Sequence, residues 1–322
     1  MKKIEWEAPS NIAIIKYWGK KENQIPQNVS VSFSLKNCKT RMSLSYEPQE
    51  RFSLDFLLAG KLHEKFEDKI RKNILFFAQT QKIDLPYKLK IESENTFPHS
   101  AGIASSASSQ AALSLCLQSL VQERLDLKEV SKLARNFSGS ACRSLYAGWN
   151  EWGFESLEYA TPLKNIHPLF QTICDSVLVV DPTEKKVLSS QGHQSMEGHP
   201  YASARYSEAN KNAKNLISIL QTGNWNEFTQ IAQAEALHLH SLMLTALVPY
   251  TLLKPHTWEI LNRIMNAQDK IKMTFTLDAG PNVHLLYPLE EKEKVLRFIK
   301  EELSSFFEFQ IDDEIGVGPC KL

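Results

Sequence analysis

The sequence predicts an α+β protein of two domains, and three observations carry that prediction. Val29-Ser30-Val31-Ser32-Phe33-Ser34-Leu35 alternates apolar and small polar residues with the period of a half-buried strand. Residues 106–121 carry Ala107, Ala111, Ala112, Leu113, Leu115, Leu117 and Leu120 around most of a helical circumference, the pattern of a buried central helix. Val177-Leu178-Val179-Val180, followed by Asp181-Pro182, reads as a strand opening a second unit built largely of long helices. The boundary is expected near residue 175, dividing the chain into 1–175 and 176–322.

Taken in order, residues 4–15 and 29–46 read as strands, joined by a polar loop at 20–28 that contains Pro26. Residues 62–82 suit an amphipathic helix with Phe66, Ile70, Ile74 and Phe77 on one face. A strand over 87–93 leads into the small-residue run 98–107, from which the central helix starts. A second helix over 127–136 stops before Phe137-Ser138-Gly139-Ser140-Ala141-Cys142-Arg143-Ser144, which reads as small residues and hydroxyls opening another helix, with Arg143 in its first turn. Beyond the strand at 177 come helices near 200–221, 225–244 and 254–266, then strand, turn, strand and a closing helix.

With 322 residues, 43% of them hydrophobic, the chain can bury a large core. Lys+Arg and Asp+Glu both total 37, so no global field draws it to nucleic acid or an anionic membrane, and any anionic ligand must be held by local groups. Charges fill the first seven residues, where a signal peptide needs an apolar run, and no stretch approaches the ~20 apolar residues of a membrane span. The five cysteines, Cys38, Cys116, Cys142, Cys174 and Cys320, show no CxxC or Cys/His ligand spacing. Reduced thiols in a cytoplasmic protein are the expectation.

Four segments carry candidate chemistry. Pro98-His99-Ser100-Ala101-Gly102-Ile103-Ala104-Ser105-Ser106-Ala107 reads as a phosphate cradle, because small residues let the backbone close on an anion and the helix that follows presents unpaired N–H groups. It lacks the lysine of a GxxxxGK[ST] loop. Lys16 interrupts an apolar strand; spacing alone favours an exposed edge lysine over a buried, paired one. Arg143 offers a planar fork to a carboxylate or phosphate, or equally to a structural acid. Cys142 beside it is not expected to be a nucleophile, since no partner histidine motif is present. Asp278, at a strand end before Ala279-Gly280-Pro281-Asn282, is placed either to deprotonate or orient a hydroxyl or to cap its turn, and alone the cap is favoured.

Together these segments resemble the mevalonate diphosphate decarboxylases, within the larger family of small-molecule kinases that includes galactokinase, homoserine kinase and mevalonate kinase. The resemblance is carried by Ala8-Pro9-Ser10-Asn11-Ile12-Ala13 with Lys16-Tyr17-Trp18-Gly19-Lys20, by the cradle, by Ser138-Gly139-Ser140-Ala141-Cys142-Arg143-Ser144 and by Asp278-Ala279-Gly280-Pro281-Asn282. Ser189-Ser190-Gln191-Gly192 and the tail Gly316-Val317-Gly318-Pro319 echo it more weakly.

The resemblance implies an N-terminal ribosomal-protein-S5-like domain and a C-terminal ferredoxin-like α/β sandwich, with the active site in the cleft between them. It implies that ATP phosphorylates the 3-hydroxyl of mevalonate 5-diphosphate, after which phosphate and carbon dioxide leave isopentenyl diphosphate. Gly102, Ile103, Ala104, Ser105 and Ser106 are then expected to hold ATP with Mg2+. Asp278 is expected to act as base with Lys16 keeping it ionised, and Arg143 to position the carboxylate. Tyr17, Trp18, Gly19, Lys20, Ser138, Gly139, Ser140, Ala141, Cys142, Ser189 and Ser190 are expected around the substrate. A homodimer is implied, without nucleic-acid or membrane partners. His99-Ser100 and His193 depart from the common family residues, Lys65 stands where many relatives have a diphosphate-binding arginine, and residues 235–240 are less polar than a substrate-facing helix should be. Three alternatives stay open: decarboxylation of the 5-phosphate, a kinase that stops at the 3-hydroxyl, and a non-catalytic ATP-binding regulator.

Overall fold

The computed structural model describes residues 2–98, 103–183 and 189–322, and only the main chain of Lys65, Ser189 and Ser190. β1 (Lys2–Ile15) pairs antiparallel with β2 (Ser30–Pro48), with register shifts between Pro9 and Asn11 and between Ala13 and Ile15. There follow β3 (Ser53–Leu58), β4 (Lys61–Leu62), α1 (Glu64–Gln81), β5 (Tyr87–Asn95), α2 (Ser105–Val121), α3 (Leu127–Phe137), β6 (Trp149–Trp152) and β7 (Thr161–Pro162). The second half runs α4 (Pro168–Gln171), β8 (Ile173–Val179), α5 (Ser189–Gln194), α6 (Ala202–Thr222), α7 (Trp225–Leu244), α8 (Pro255–Ala267), β9 (Thr274–Leu277), β10 (Val283–Pro288), α9 (Lys292–Phe298), β11 (Phe309–Glu314) and β12 (Cys320–Lys321).

Two sheets result, in the expected two-domain α+β arrangement. One has the order β12-β1-β2-β5-β3-β4, with β6 on β2 and β7 on β6; the other is β11-β8-β10-β9, antiparallel throughout. Among the apolar residues of α2, Ala107, Ala111, Ala112, Leu113, Leu115 and Leu117 are all buried, as its all-round apolar surface predicts. β1 has α2 against it and, from the second half, α6 and α7, so from Glu7 onward every residue is buried. That two-sided burial is why Ile12-Ala13-Ile14-Ile15 does not alternate. Ile12, Ile14 and Phe33 of the first sheet share one core with Val177, Leu216, Leu220 and Phe228 of the second half. Each such side chain contributes ~1.5–3 kcal/mol on burial, so packing fixes the two halves against each other across the cleft.

The structure adds the short strands β3, β4, β6 and β7 to the expected elements and differs from expectation at the 139–145 turn and the closing helix. Gly139–Leu145 is a 3-10 turn, not the opening of an α-helix. Its threefold period stacks Ser140 and Arg143 on one side. α2 starts from Ala104 in the left-handed region (φ 44°) with no side-chain cap, so neither Ser105 nor Ser106 spends its hydroxyl on capping. The closing helix is short and is followed by β11 and β12; the latter returns to β1, pairing Lys321 with Trp6.

Candidate active site

A cavity of about 660 Å³ opens where the ends of β1 and β9 meet the Gly139–Leu145 turn and the start of α2. β1 ends at Ile15 and delivers Lys16; β9 ends at Leu277 and delivers Asp278, and both line the cavity. Lys16 Nζ donates to Asp278 Oδ1 at 3.2 Å. Lys16 is 2% exposed, so its partner is what makes a charge tolerable there. Burial pulls the Lys16 ammonium below the ordinary lysine value, Asp278 and Glu235 oppose that, and Arg143 adds to it. Sequence spacing alone favoured an exposed lysine and a capping aspartate. The fold instead joins residues 262 positions apart into one ion pair.

Arg143 enters the same cavity from the 3-10 turn and is 4% exposed. Asn11 fixes that turn by donating to Ser140 O (3.2 Å) and Ser144 Oγ (2.8 Å), while Asn150 donates to Arg143 O (3.2 Å). The Arg143 Nε and Nη1 atoms have no hydrogen-bond partner among the described residues. Burial lowers its pKa, opposed by Cys142, Asp278 and Tyr17, but a guanidinium stays charged. A buried, forked cation on a cavity wall, with donors its own fold leaves unused, is suited to a carboxylate or phosphate.

The segment after Lys16 forms the next wall. Tyr17 Oη donates to Gln24 O (3.1 Å) and Lys20 Nζ to Gln24 Oε1 (2.9 Å). The Gly19 amide donates to His193 Nδ1 (3.1 Å), and the His193 ring packs between Tyr17 and Trp18 at 4.3 and 5.0 Å. Burial, with Lys20 and Arg143, pushes His193 down to about 3, so it is neutral and its proton is on Nε2. Gly139 lets Tyr17 pack against the turn, since a Cβ there would lie 2.6 Å from the tyrosine oxygen.

Ala104, Ser105 and Ser106 line the cavity at the start of α2, and Ser106 Oγ lies 3.5 Å from Ser138 Oγ. Ser138, Gly139 and Ser140 line it from the 3-10 turn, with Tyr17, Trp18 and Lys20 beside them. Four expected contacts do not line the cavity: Gly19 is buried behind the wall, and the other three point elsewhere. Ile103, Ala141 and Cys142 are buried in apolar core, because each lies on the side of its turn away from the cavity. Cys142 Sγ bonds Gly139 O at 3.0 Å and burial pushes its thiol up to about 12, so little thiolate is present at neutral pH. Gly102, His99 and Ser100 lie outside the described residues, as do the side chains of Ser189, Ser190 and Lys65.

Sequence reasoning missed several residues. Lys69 on α1 lines the cavity, and burial together with Lys20 lowers its pKa. Glu235, Arg205 and Asn212 form a buried cluster beneath Lys16, and His240 Nε2 bonds the Asp278 carbonyl at 3.0 Å. The available signal was a carboxylate in the otherwise apolar row Phe228, Ala232, Glu235, Leu239, Leu242 of α7, a position that demands a buried partner. Segment 235–240 therefore does serve the site, but its polar atoms hold main chain while Leu239 faces the cavity. Among the described residues no group of three or more His, Cys, Asp or Glu could hold a metal ion.

Comparison with known proteins follows the same geography. A family model described as the diphosphomevalonate decarboxylase-like N-terminal domain matches residues 8–159, and one described as the mevalonate 5-diphosphate decarboxylase C-terminal domain matches 176–314. The diphosphomevalonate decarboxylase of Candida albicans is 31% identical over 318 residues, spanning 91% of this chain and 86% of its own length. The mevalonate diphosphate decarboxylase structure from Staphylococcus aureus superimposes with a TM-score of 0.90 at 28% identity, covering 100% of this chain and 98% of its own. A structure described as MDDEF in complex with MVAPP, AMPPCP and magnesium does so with a TM-score of 0.87 at 28% identity, covering 99% and 98%.

Proposed function

The chain belongs to the diphosphomevalonate decarboxylase family, and on that premise we propose that its cleft converts mevalonate 5-diphosphate and ATP to isopentenyl diphosphate, ADP, phosphate and carbon dioxide. The carrying observation is that one cavity is lined by the Lys16–Asp278 ion pair, with the lysine buried, and by Arg143, whose Nε and Nη1 have no hydrogen-bond partner among the described residues. The first suits activation of a hydroxyl, the second retention of a carboxylate, and the reaction needs both on adjoining carbons.

In this reading Asp278 accepts the proton of the substrate 3-hydroxyl as that oxygen attacks the γ-phosphorus and ADP departs. The Lys16 ammonium favours the ionised carboxylate beside it. The bond formed is O–P; when the substrate's own C3–O bond then breaks, its electron pair leaves with phosphate and the carbon becomes cationic. The C–C bond to the carboxylate then supplies the pair that forms the alkene, releasing carbon dioxide. Arg143 holds that carboxylate in line until it leaves. Tyr17, Trp18, Lys20 and Ser138–140 form the wall for the diphosphate end, and the resemblance adds Gly19, Ser189 and Ser190 to the residues that bind it. Ala104, Ser105 and Ser106 at the α2 N-terminus receive the nucleotide phosphates.

The donor set fits magnesium brought by the nucleotide: Ser106 offers a cavity-facing hydroxyl, and a protein cage is not required when phosphate oxygens and water fill the remaining positions. When bound, the ion neutralises charge on the transferring phosphoryl group. The family resemblance also supports a division near residue 175 and a homodimer acting in the cytoplasm, and sedimentation of the purified chain tests the dimer. No helix among the described residues is long and apolar enough to cross a membrane.

A pH prediction follows from Lys16. Its proton is needed, and burial sets its pKa below the ordinary 10.5, so it is lost at a lower pH than an exposed lysine's. Burial raises the Tyr17 and Cys142 values, so those groups stay protonated across that range. The kcat profile at saturating substrates should therefore fall on an alkaline limb centred below pH 10.5; activity flat to that pH would contradict a protonated Lys16 in the reaction. The function itself is tested by comparing mevalonate, its 5-phosphate and its 5-diphosphate as acceptors. The 5-diphosphate should give the highest kcat/KM for carbon dioxide release. Equal or better turnover of the 5-phosphate would make the chain a monophosphate decarboxylase.

A further inference from the structure

We propose that α7 is the spacer that sets the Lys16–Asp278 distance, with Glu235 and His240 as its two positioning residues; this rests on the function proposed above. β1 ends at Ile15, so the amide and carbonyl of Lys16 leave the ladder and need other partners. Glu235 Oε2 accepts from the Lys16 amide at 3.1 Å, while Arg205 Nη2 and Asn28 Nδ2 donate to the Lys16 carbonyl at 3.2 and 3.0 Å. The Glu235 carboxylate is gripped by both Arg205 terminal nitrogens at 2.7 Å and by Asn212 at 3.0 Å. Five residues further along the helix, His240 Nε2 donates to the Asp278 main-chain carbonyl at 3.0 Å.

One rigid element thus touches the main chain of both members of the ion pair. Positions five apart on a helix differ by about 7.5 Å along the axis and about 140° around it, so one reaches the exit of β1 and the other the exit of β9. Leu239 lies between them and lines the cavity. Stability alone gives little reason to keep a buried arginine–glutamate pair, since apolar residues of similar volume often replace one at no loss. Here the carboxylate serves the strand-exit amide, which no apolar side chain does. Anchoring the main chain matters because a lysine side chain on a free backbone would sample many rotamers, and active groups must be held to about 0.5 Å.

The test uses the full chain with ATP and mevalonate 5-diphosphate. If the wild-type chain releases no carbon dioxide, the functional reading fails, whatever α7 does. Given wild-type turnover, His240→Leu should lower kcat about 10- to 100-fold, the scale of a misplaced reacting group, with the KM for ATP within threefold. Its alkaline limb should move to lower pH, because Lys16 is faced by Asp278, Glu235, Arg143 and Arg205, and drifting from Asp278 removes a charge that raises it. His240→Gln, whose amide nitrogen can reach the same carbonyl, should recover most of kcat and the original limb. Glu235→Gln leaves the Arg205 cation stranded, so the paired Arg205→Met with Glu235→Leu is the second probe: it should melt like wild type and show the same kcat loss and limb shift. The proposal is overturned if folded His240→Leu keeps wild-type kcat and limb, or if His240→Gln restores no more than His240→Leu does.

Discussion

Asp278→Asn should reduce carbon dioxide release by about 10²–10⁴-fold, the range assigned to a positioned general base, while leaving binding of an ATP analogue within a few fold. The substitution keeps shape and removes charge. Lys16 then loses its 3.2 Å partner and keeps the weaker influence of Glu235, so the ammonium becomes harder to keep in a 2%-exposed position. Turnover within tenfold of wild type would remove Asp278 from the chemistry. Intact nucleotide binding beside absent turnover in the wild-type chain would favour the non-catalytic regulator. Calorimetric titration with the analogue and a carbon dioxide assay on one preparation separate these outcomes.

Arg143→Met should divide stability from activity. The guanidinium is 4% exposed, and Nε and Nη1 are unpartnered among the described residues, so the folded protein carries the desolvation cost of a charge it has not fully paired. An apolar side chain of similar length removes that cost, and the melting temperature should stay level or rise. Losing one partner of a buried charge pair costs about 2–5 kcal/mol of binding, so kcat/KM for mevalonate 5-diphosphate should fall about 30- to 4,000-fold. Arg143→Lys should rescue poorly, because an ammonium lacks the planar fork. A variant that melts lower and works normally would make Arg143 a structural residue.

Both predictions concern residues whose roles could be weighed in the sequence only in combination. The strand–loop–strand at the N-terminus and the central α2 were legible because their apolar periods are undisturbed. Asp278 was legible as a strand-end carboxylate, since a turn-forming Ala-Gly-Pro-Asn follows it. Lys16 was misjudged by itself because its partner is 262 residues away, and only the family resemblance brought the two together. β11 was hidden for a different reason: Phe309-Gln310-Ile311-Asp312-Asp313-Glu314 is an edge strand whose carboxylates mask its alternation. The turn at 139–145 was read as an α-helix start, since hydroxyls and small residues favour either, and the 3-10 period decides that Arg143 faces the cavity while Ala141 and Cys142 do not. Glu235 and His240 escaped because they act on main-chain atoms of distant segments, which leaves no local pattern beyond a carboxylate in an apolar row.

One cavity both transfers phosphate to the 3-hydroxyl and lets the carboxylate go in the function proposed for this chain. The most direct measurement counts ADP, inorganic phosphate and carbon dioxide together from mevalonate 5-diphosphate and ATP in a single progress curve. Equal amounts of all three are expected from the first turnover onward. ADP formed without matching phosphate and carbon dioxide would contradict that function and leave the cleft a 3-kinase.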